Sequence, residues 1–164
     1  MQREYNELIE DFVKLLKEGF SDRLVSVALF GSVARERAKK ESDIDLCIVI
    51  KDLPMSRFQR NRLISTPISS LKEMTSYKRL RSQGYLPDIA PILYTPGEIK
   101  ETKPIFLDIV DEGEILLDDG TLKNKLEDIR KKMKAYNSRK ITLKDGTWYW
   151  LLKPGMKLGE VIEL

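Results

Sequence analysis

Leu29-Phe30-Gly31-Ser32, then ten residues, then Asp43-Ile44-Asp45-Leu46 is the stretch on which the reading of this chain turns. Arg23–Phe30 (RLVSVALF) is rich in aliphatic and β-branched residues and predicts a strand that stops at Gly31-Ser32. Val33–Lys40 has helix-forming composition, which predicts a short helix with Ser32 near its N-cap. Ile44–Ile50 predicts a second strand, closed by Leu53-Pro54. A strand therefore delivers Gly31-Ser32 to a helix start. Glycine lets a ligand approach the backbone, and the Ser32 hydroxyl with the free N–H groups of a first helical turn suits a phosphate. Asp43 and Asp45 are two apart on a strand, so they share a face, with Cα atoms about 6.5 Å apart. Ile44, Leu46 and Ile48 point the other way, into a core. Two carboxylates on one face repel unless a cation sits between them. A divalent metal is the natural cation, and a nucleoside triphosphate its natural co-ligand. Each half alone also fits a bland role: Gly-Ser as a turn and cap, Asp-x-Asp as a solvated strand edge. Together, at this spacing, they match a random chain of this length only on the order of a few times in a thousand.

The rest of the chain frames this segment. Residues 4–18 carry Leu8, Ile9, Phe12, Val13, Leu15 and Leu16 at helical spacing, with Gly19 placed to end the helix. A mostly helical stretch follows the second strand, from about 55 to 83, with Pro67 marking a break or a new start. Ile89–Tyr94 predicts a third strand, and Thr95-Pro96-Gly97-Glu98 opens a short helix. Residues 104–112 read as helix, 114–118 as a short strand and 121–136 as a helix with Leu122, Leu126, Ile129 and Met133 on one face. In the tail, Asp145-Gly146 between Ile141-Thr142-Leu143 and Trp148-Tyr149-Trp150 signals a hairpin. The expected fold class is α/β (α+β), with a mixed, mostly antiparallel sheet flanked by helices.

Composition narrows the chemistry. The chain has 164 residues, 29 Lys and Arg, 26 Asp and Glu, one cysteine and no histidine. Without histidine there is no Ser-His-Asp or Cys-His nucleophile, no His-ligated zinc and no imidazole acid–base catalysis. A lone Cys47 makes no internal disulfide and no multi-cysteine metal cluster, and reads as a small core residue. Proton and metal chemistry must rest on carboxylates, lysine, tyrosine or hydroxyls, and oxygen ligands favour Mg²⁺ or Mn²⁺. The length suits one domain, 1–164, burying roughly two-thirds of its unfolded surface. With 34% charged residues, three Gln and four Asn, the usage resembles that of thermophile proteins. The opening MQREYNELIEDF lacks an apolar h-region and no apolar run approaches membrane-spanning length, so the expected place is the cytoplasm. The net charge of +3 hides a dipole: residues 55–86 hold seven Lys/Arg and one acid, and residues 98–119 hold eight acids and two Lys.

The pattern hydrophobic-Gly-Ser, ten residues, Asp-hydrophobic-Asp-hydrophobic resembles the signature of the DNA polymerase beta-like nucleotidyltransferase superfamily. The run LFGSVARERAKKESDIDLCIVI is similar to its small stand-alone branch, the minimal nucleotidyltransferases of archaea and bacteria. The core of the resemblance spans about 20–95, with a C-terminal helix and β-hairpin extension over about 104–164. Gly146-Thr147-Trp148-Tyr149-Trp150, Leu152-Lys153-Pro154 and Gly159-Glu160-Val161-Ile162 resemble the tail of archaeal members. The resemblance implies that Gly31 and Ser32 bind the triphosphate. It implies that Asp43 and Asp45 ligate two Mg²⁺ ions. It also implies a third carboxylate on the next strand, best matched by Asp88, as metal ligand and general base. ATP or another NTP would be the substrate and a hydroxyl the acceptor, with pyrophosphate leaving. In this branch the acceptor is a tyrosine of a partner HEPN-domain toxin; a tRNA end or a small-molecule hydroxyl is the alternative. A module that binds nucleotide or partner without catalysis is the rival reading. One departure stands out: Glu36 follows Arg35 where such proteins often carry Gly.

Arg35 can reach a phosphate from the first turn after Ser32, or be a solvated side chain. The basic stretch 55–86 can contact nucleic acid, but charged helical faces are commonly just solvated, and nucleic acid is not the favoured partner. Trp148, Tyr149 and Trp150 can stack on a base, or pack across the hairpin. Asp108 and Asp111 are fallback acids within a predicted helix. No Walker A or GxGxxG pattern is present.

Overall fold

A computed structural model describes residues 1–157, 160–162 and 164. Gly159 of the tail motif lies outside the described residues. Four strands form one sheet in the order β3-β2-β1-β4, with β1 (Leu24–Phe30), β2 (Ile44–Ile50), β3 (Ile89–Tyr94) and β4 (Glu114–Asp118). β1 is antiparallel to β2 and to β4, and β2 is parallel to β3. This is the mixed, mostly antiparallel sheet expected, and β4 comes from the C-terminal half. A separate hairpin pairs β5 (Arg139–Thr142) with β6 (Trp148–Leu151).

Both faces of the sheet are covered. One face meets α1 (Asn6–Phe20), α3 (Arg57–Glu73) and α4 (Thr75–Ser82) through Leu8, Phe12, Leu16, Ile64, Leu71 and Leu80. Val27 and Leu29 of β1 and Ile44, Leu46, Ile48 and Ile50 of β2 fill this layer. The other face meets α5 (Ile105–Glu112) and α6 (Thr121–Ala135) through Phe106, Ile109, Leu122, Leu126 and Ile129, against Cys47 and Val49. Val25 joins this second layer although Val27 joins the first, because a bulge between Leu24 and Ser26 resets the alternation. Cys47 is a fully buried core residue, and burial pushes its thiol up to about 12. No helix of the described residues is long and apolar enough to cross a membrane.

Three local expectations are corrected. The helix expected over 33–40 is a single turn, α2 (Gly31–Ala34), so Ser32 lies inside it and is not its cap. It stops because Glu36 adopts φ +57 and the Arg37 N–H turns back to the Ser32 carbonyl at 2.9 Å. Glu36 thus occupies a left-handed position, which glycine fills with the least strain. Pro67 does not break α3, which runs on to Glu73. The carbonyl that loses its donor is that of Leu63, a solvent-exposed residue, and the real break comes at Met74, whose ψ of 152° is extended. Gly19 does not end α1; Ser21 at φ +47 does.

Each charged run sends members into the fold, although Arg57, Arg62, Lys72, Lys78, Arg79 and Arg81 of the basic run stay exposed. Arg60, only 8% exposed, makes a two-pronged pair with Glu98 at 2.9 Å and donates to the Leu93 and Pro54 carbonyls. This closes part of the free edge of β3, where Pro91 needs no partner for a missing N–H. Asp118 accepts from the N–H groups of Gly120, Leu122 and Lys123 at 2.9–3.2 Å and from the buried Ser26 hydroxyl. It therefore caps α6 and ties that helix to β1. Asp118→Ala removes a cap and orphans a buried hydroxyl, so a loss of about 2 kcal/mol in denaturant unfolding is expected.

Candidate active site

The site forms where β1 ends beside the start of β2. Phe30 pairs with Asp45, so the next residue, Gly31, sits against the Asp45 side chain. Gly31 has φ +74, and a Cβ there would lie 2.0 Å from Asp45 Oδ2 and 2.8 Å from Cγ. The glycine is thus required twice: by its left-handed backbone and by a carboxylate in the space a side chain would take. Asp43 and Asp45 alternate with buried Ile44 and Leu46, on the sheet face that carries Cys47 and Val49 farther along β2. Asp43 is exposed and Asp45 half-buried. The ten-residue connection between the motif's halves is held in place. The Ala38 N–H donates to Gln2 Oε1 at 2.9 Å, the Tyr5 hydroxyl to the Lys39 carbonyl at 3.2 Å and the Leu86 N–H to the Lys40 carbonyl at 2.7 Å.

Electrostatics mark the pair. Burial raises the Asp45 carboxyl above its ordinary value, repulsion from Asp43 adds to this, and Arg35 partly offsets both. A carboxylate held so by a like neighbour is relieved by a cation between the two, so the donor set and the Gly31 cradle fit a divalent metal. A raised folded pKa means that stability from Asp45 is fully present below its unfolded pKa and is lost as pH rises through the folded one. Metal binding needs the ionised form and runs the other way. The affinity for a divalent cation is therefore expected to fall as pH drops into the carboxylate range, beginning above the usual aspartate value. Calorimetric titration across pH checks this; an affinity flat through that range would contradict it.

Asp88 immediately precedes β3, on the strand parallel to β2, and the Ile44 N–H donates to its carbonyl at 2.8 Å. Its backbone lies one strand over from Asp43, and its side chain is exposed. Among the described residues no three His, Cys, Asp or Glu side chains converge to hold a metal ion, so Asp88 stands beside the pair without joining it. Asp108 and Asp111 are elsewhere: Asp108 accepts from the Trp148 and Trp150 indoles, and Asp111 pairs with Lys140 at 2.8 Å. Arg35 follows α2 and is not merely solvated. Its guanidinium carbon lies 4.8 Å from the centre of the Trp148 ring and its Nε 3.8 Å from Glu112. Sequence reasoning missed this neighbourhood. Trp148 and Trp150 signalled a shared strand face, but the surface they cover, α5, is remote in sequence.

The family model described as "Nucleotidyltransferase domain" matches residues 9–145. Two proteins of Methanocaldococcus jannaschii, each named "Putative protein adenylyltransferase", are similar. One is 32% identical over 128 residues, covering 76% of this chain and 80% of its own length. The other is 32% identical over 105 residues, covering 64% and 90%. Among solved structures, the spectinomycin adenyltransferase of Enterococcus faecialis, with ATP and spectinomycin, superposes with a TM-score of 0.54 at 14% identity. The match covers 80% of this chain and 65% of that one. At that identity the likeness is one of fold.

Proposed function

Because the chain belongs to the nucleotidyltransferase domain family, we propose that its reaction is the transfer of AMP from ATP to a hydroxyl group of a partner protein. The observation that carries the site assignment is the Asp45 carboxylate seated on Gly31 with Asp43 two residues away on the same face. The M. jannaschii relatives' names support AMP and a protein acceptor. Asp43 and Asp45 would hold the Mg²⁺ ions, which supply charge neutralisation for the phosphates and for the oxygens that attack and leave.

The chain's own residues have these roles. Gly31 and Ser32 bind the triphosphate through the backbone and the hydroxyl. Arg35 contacts a phosphate with its guanidinium. Asp88, exposed at the start of the neighbouring strand, takes the proton from the acceptor hydroxyl. The acceptor oxygen forms a bond to the α-phosphorus, and the bond to pyrophosphate breaks. None of these steps needs an imidazole, in keeping with a chain that has none.

The acceptor we propose is a tyrosine of a HEPN-domain partner, on the resemblance of LFGSVARERAKKESDIDLCIVI to the minimal branch. The usual toxin motif needs a histidine, so this chain would be the modifying partner and not the toxin. The test is intact-mass spectrometry of a HEPN-like protein encoded beside this chain and co-expressed with it. A gain of one or more AMP moieties on tyrosine is expected. An unmodified partner, with label found instead on tRNA or a small molecule, would overturn the acceptor assignment.

A further inference from the structure

The C-terminal hairpin reaches back to the residue that follows the Gly-Ser turn. Trp148 and Trp150 are two apart on β6 and so share a side, and both indole N–H groups donate to Asp108 of α5, at 3.3 and 3.0 Å. Lys140 of β5, directly across from Trp150, bonds Asp111 at 2.8 Å and Glu112 at 2.7 Å. Its ammonium also lies 5.1 Å from the Trp148 ring centre and 5.9 Å from that of Trp150. These contacts lock the hairpin onto α5 and present Trp148 to Arg35. The guanidinium stacks on that ring at 4.8 Å, and its side chain is 15% exposed. Among the described residues its one ion pair is the longer contact to Glu112, at 3.8 Å, and Glu112 is already bonded to Lys140. The Arg35 backbone is fixed too: its N–H donates to the Gly31 carbonyl at 3.2 Å.

An arginine free in solvent samples many rotamers, and gripping a phosphate would freeze them. Stacking on an indole freezes them beforehand while leaving guanidinium N–H groups to donate. We infer that Trp148 is a positioning residue of the nucleotide site: the hairpin holds the Arg35 guanidinium against the indole, aimed at the triphosphate beside Gly31 and Ser32. This rests on the nucleotide reading above, and it makes the C-terminal hairpin part of the site.

The test uses the full chain and magnesium–ATP, with affinity read by calorimetry and the KM against kcat split read on the acceptor. Trp148→Leu keeps an apolar side chain but removes the ring face. It is expected to weaken ATP binding about tenfold, ~1.4 kcal/mol, with kcat at saturating ATP little changed. Trp148→Phe restores a ring and is expected to recover most of the affinity. In an Arg35→Ala background, Trp148→Leu should do nothing more. Thermal melts check that each variant keeps its fold. Wild-type affinity in Trp148→Leu, or equal loss in the Phe and Leu variants, would overturn the inference while leaving the nucleotide reading intact. So would losses that multiply in the double variant. A wild-type chain that binds no ATP would overturn both.

Discussion

Asp45→Asn is expected to abolish AMP transfer while leaving the protein at least as stable as before. The amide keeps the shape of the carboxylate and its seat on Gly31. It cannot supply the negative charge that would hold the metal ion, whose positive charge would offset that of the transferring phosphate. The expected loss is about a thousandfold or more in rate, ~4 kcal/mol of barrier. Stability should move the other way. Burial and the Asp43 charge both disfavour ionised Asp45, which is why its carboxyl is raised. At neutral pH the wild type bears that cost and the variant does not. The melting temperature of Asp45→Asn should equal or exceed the wild type's, and the gap should narrow as acid protonates Asp45. Paired melts and rate assays over pH check both halves. A variant that is inactive because it is unfolded would contradict the assignment of Asp45 to chemistry.

Gly31→Ala should be the most damaging substitution for stability. Two costs add. A left-handed φ of +74 penalises any side chain, by about 1–2 kcal/mol. The new Cβ would also meet Asp45 Oδ2 at 2.0 Å, and forcing an atom into filled space typically costs about 1–3 kcal/mol. The expected loss is about 3 kcal/mol, which in a chain of this size lowers Tm by roughly 10 °C. Activity should fall as well, since the clash displaces the carboxylate. Combining it with Asp45→Ala, which empties the space, should recover part of the stability but none of the activity. Urea unfolding of the single and double variants measures the coupling. Strictly additive losses would show that Gly31 and Asp45 are not packed as described.

Strands were legible where periodicity and turn chemistry agreed. Ile44–Ile50, Ile89–Tyr94 and Glu114–Asp118 have the bounds expected of them from the sequence. The motif was legible because its spacing encodes a physical pairing: the β1–β2 register brings Phe30 opposite Asp45 and so Gly31 onto its carboxylate. What the sequence hid depends on residues far apart in the chain. The turn after Ala34 is set by one left-handed residue, Glu36, whose type does not announce it. Pro67 passes through α3, and the carbonyl it leaves without a donor belongs to Leu63, an exposed residue. In sequence the acids at 98–119 read as one pole of a dipole, yet Glu98, Asp111, Glu112 and Asp118 are engaged by Arg60, Lys140 and the α6 N-terminus. The cage around Arg35 joins residues from positions 35, 112, 140 and 148, and no local pattern reports such a meeting.

Following the two ends of ATP tests the nucleotidyl-transfer reaction most directly. Label at the α-phosphate should appear on the acceptor protein in the wild type and not in Asp45→Asn, and label at the γ-phosphate should leave in pyrophosphate. γ-Label on the acceptor, or α-label transferred equally by both proteins, would contradict transfer of AMP from the Gly31–Asp45 site.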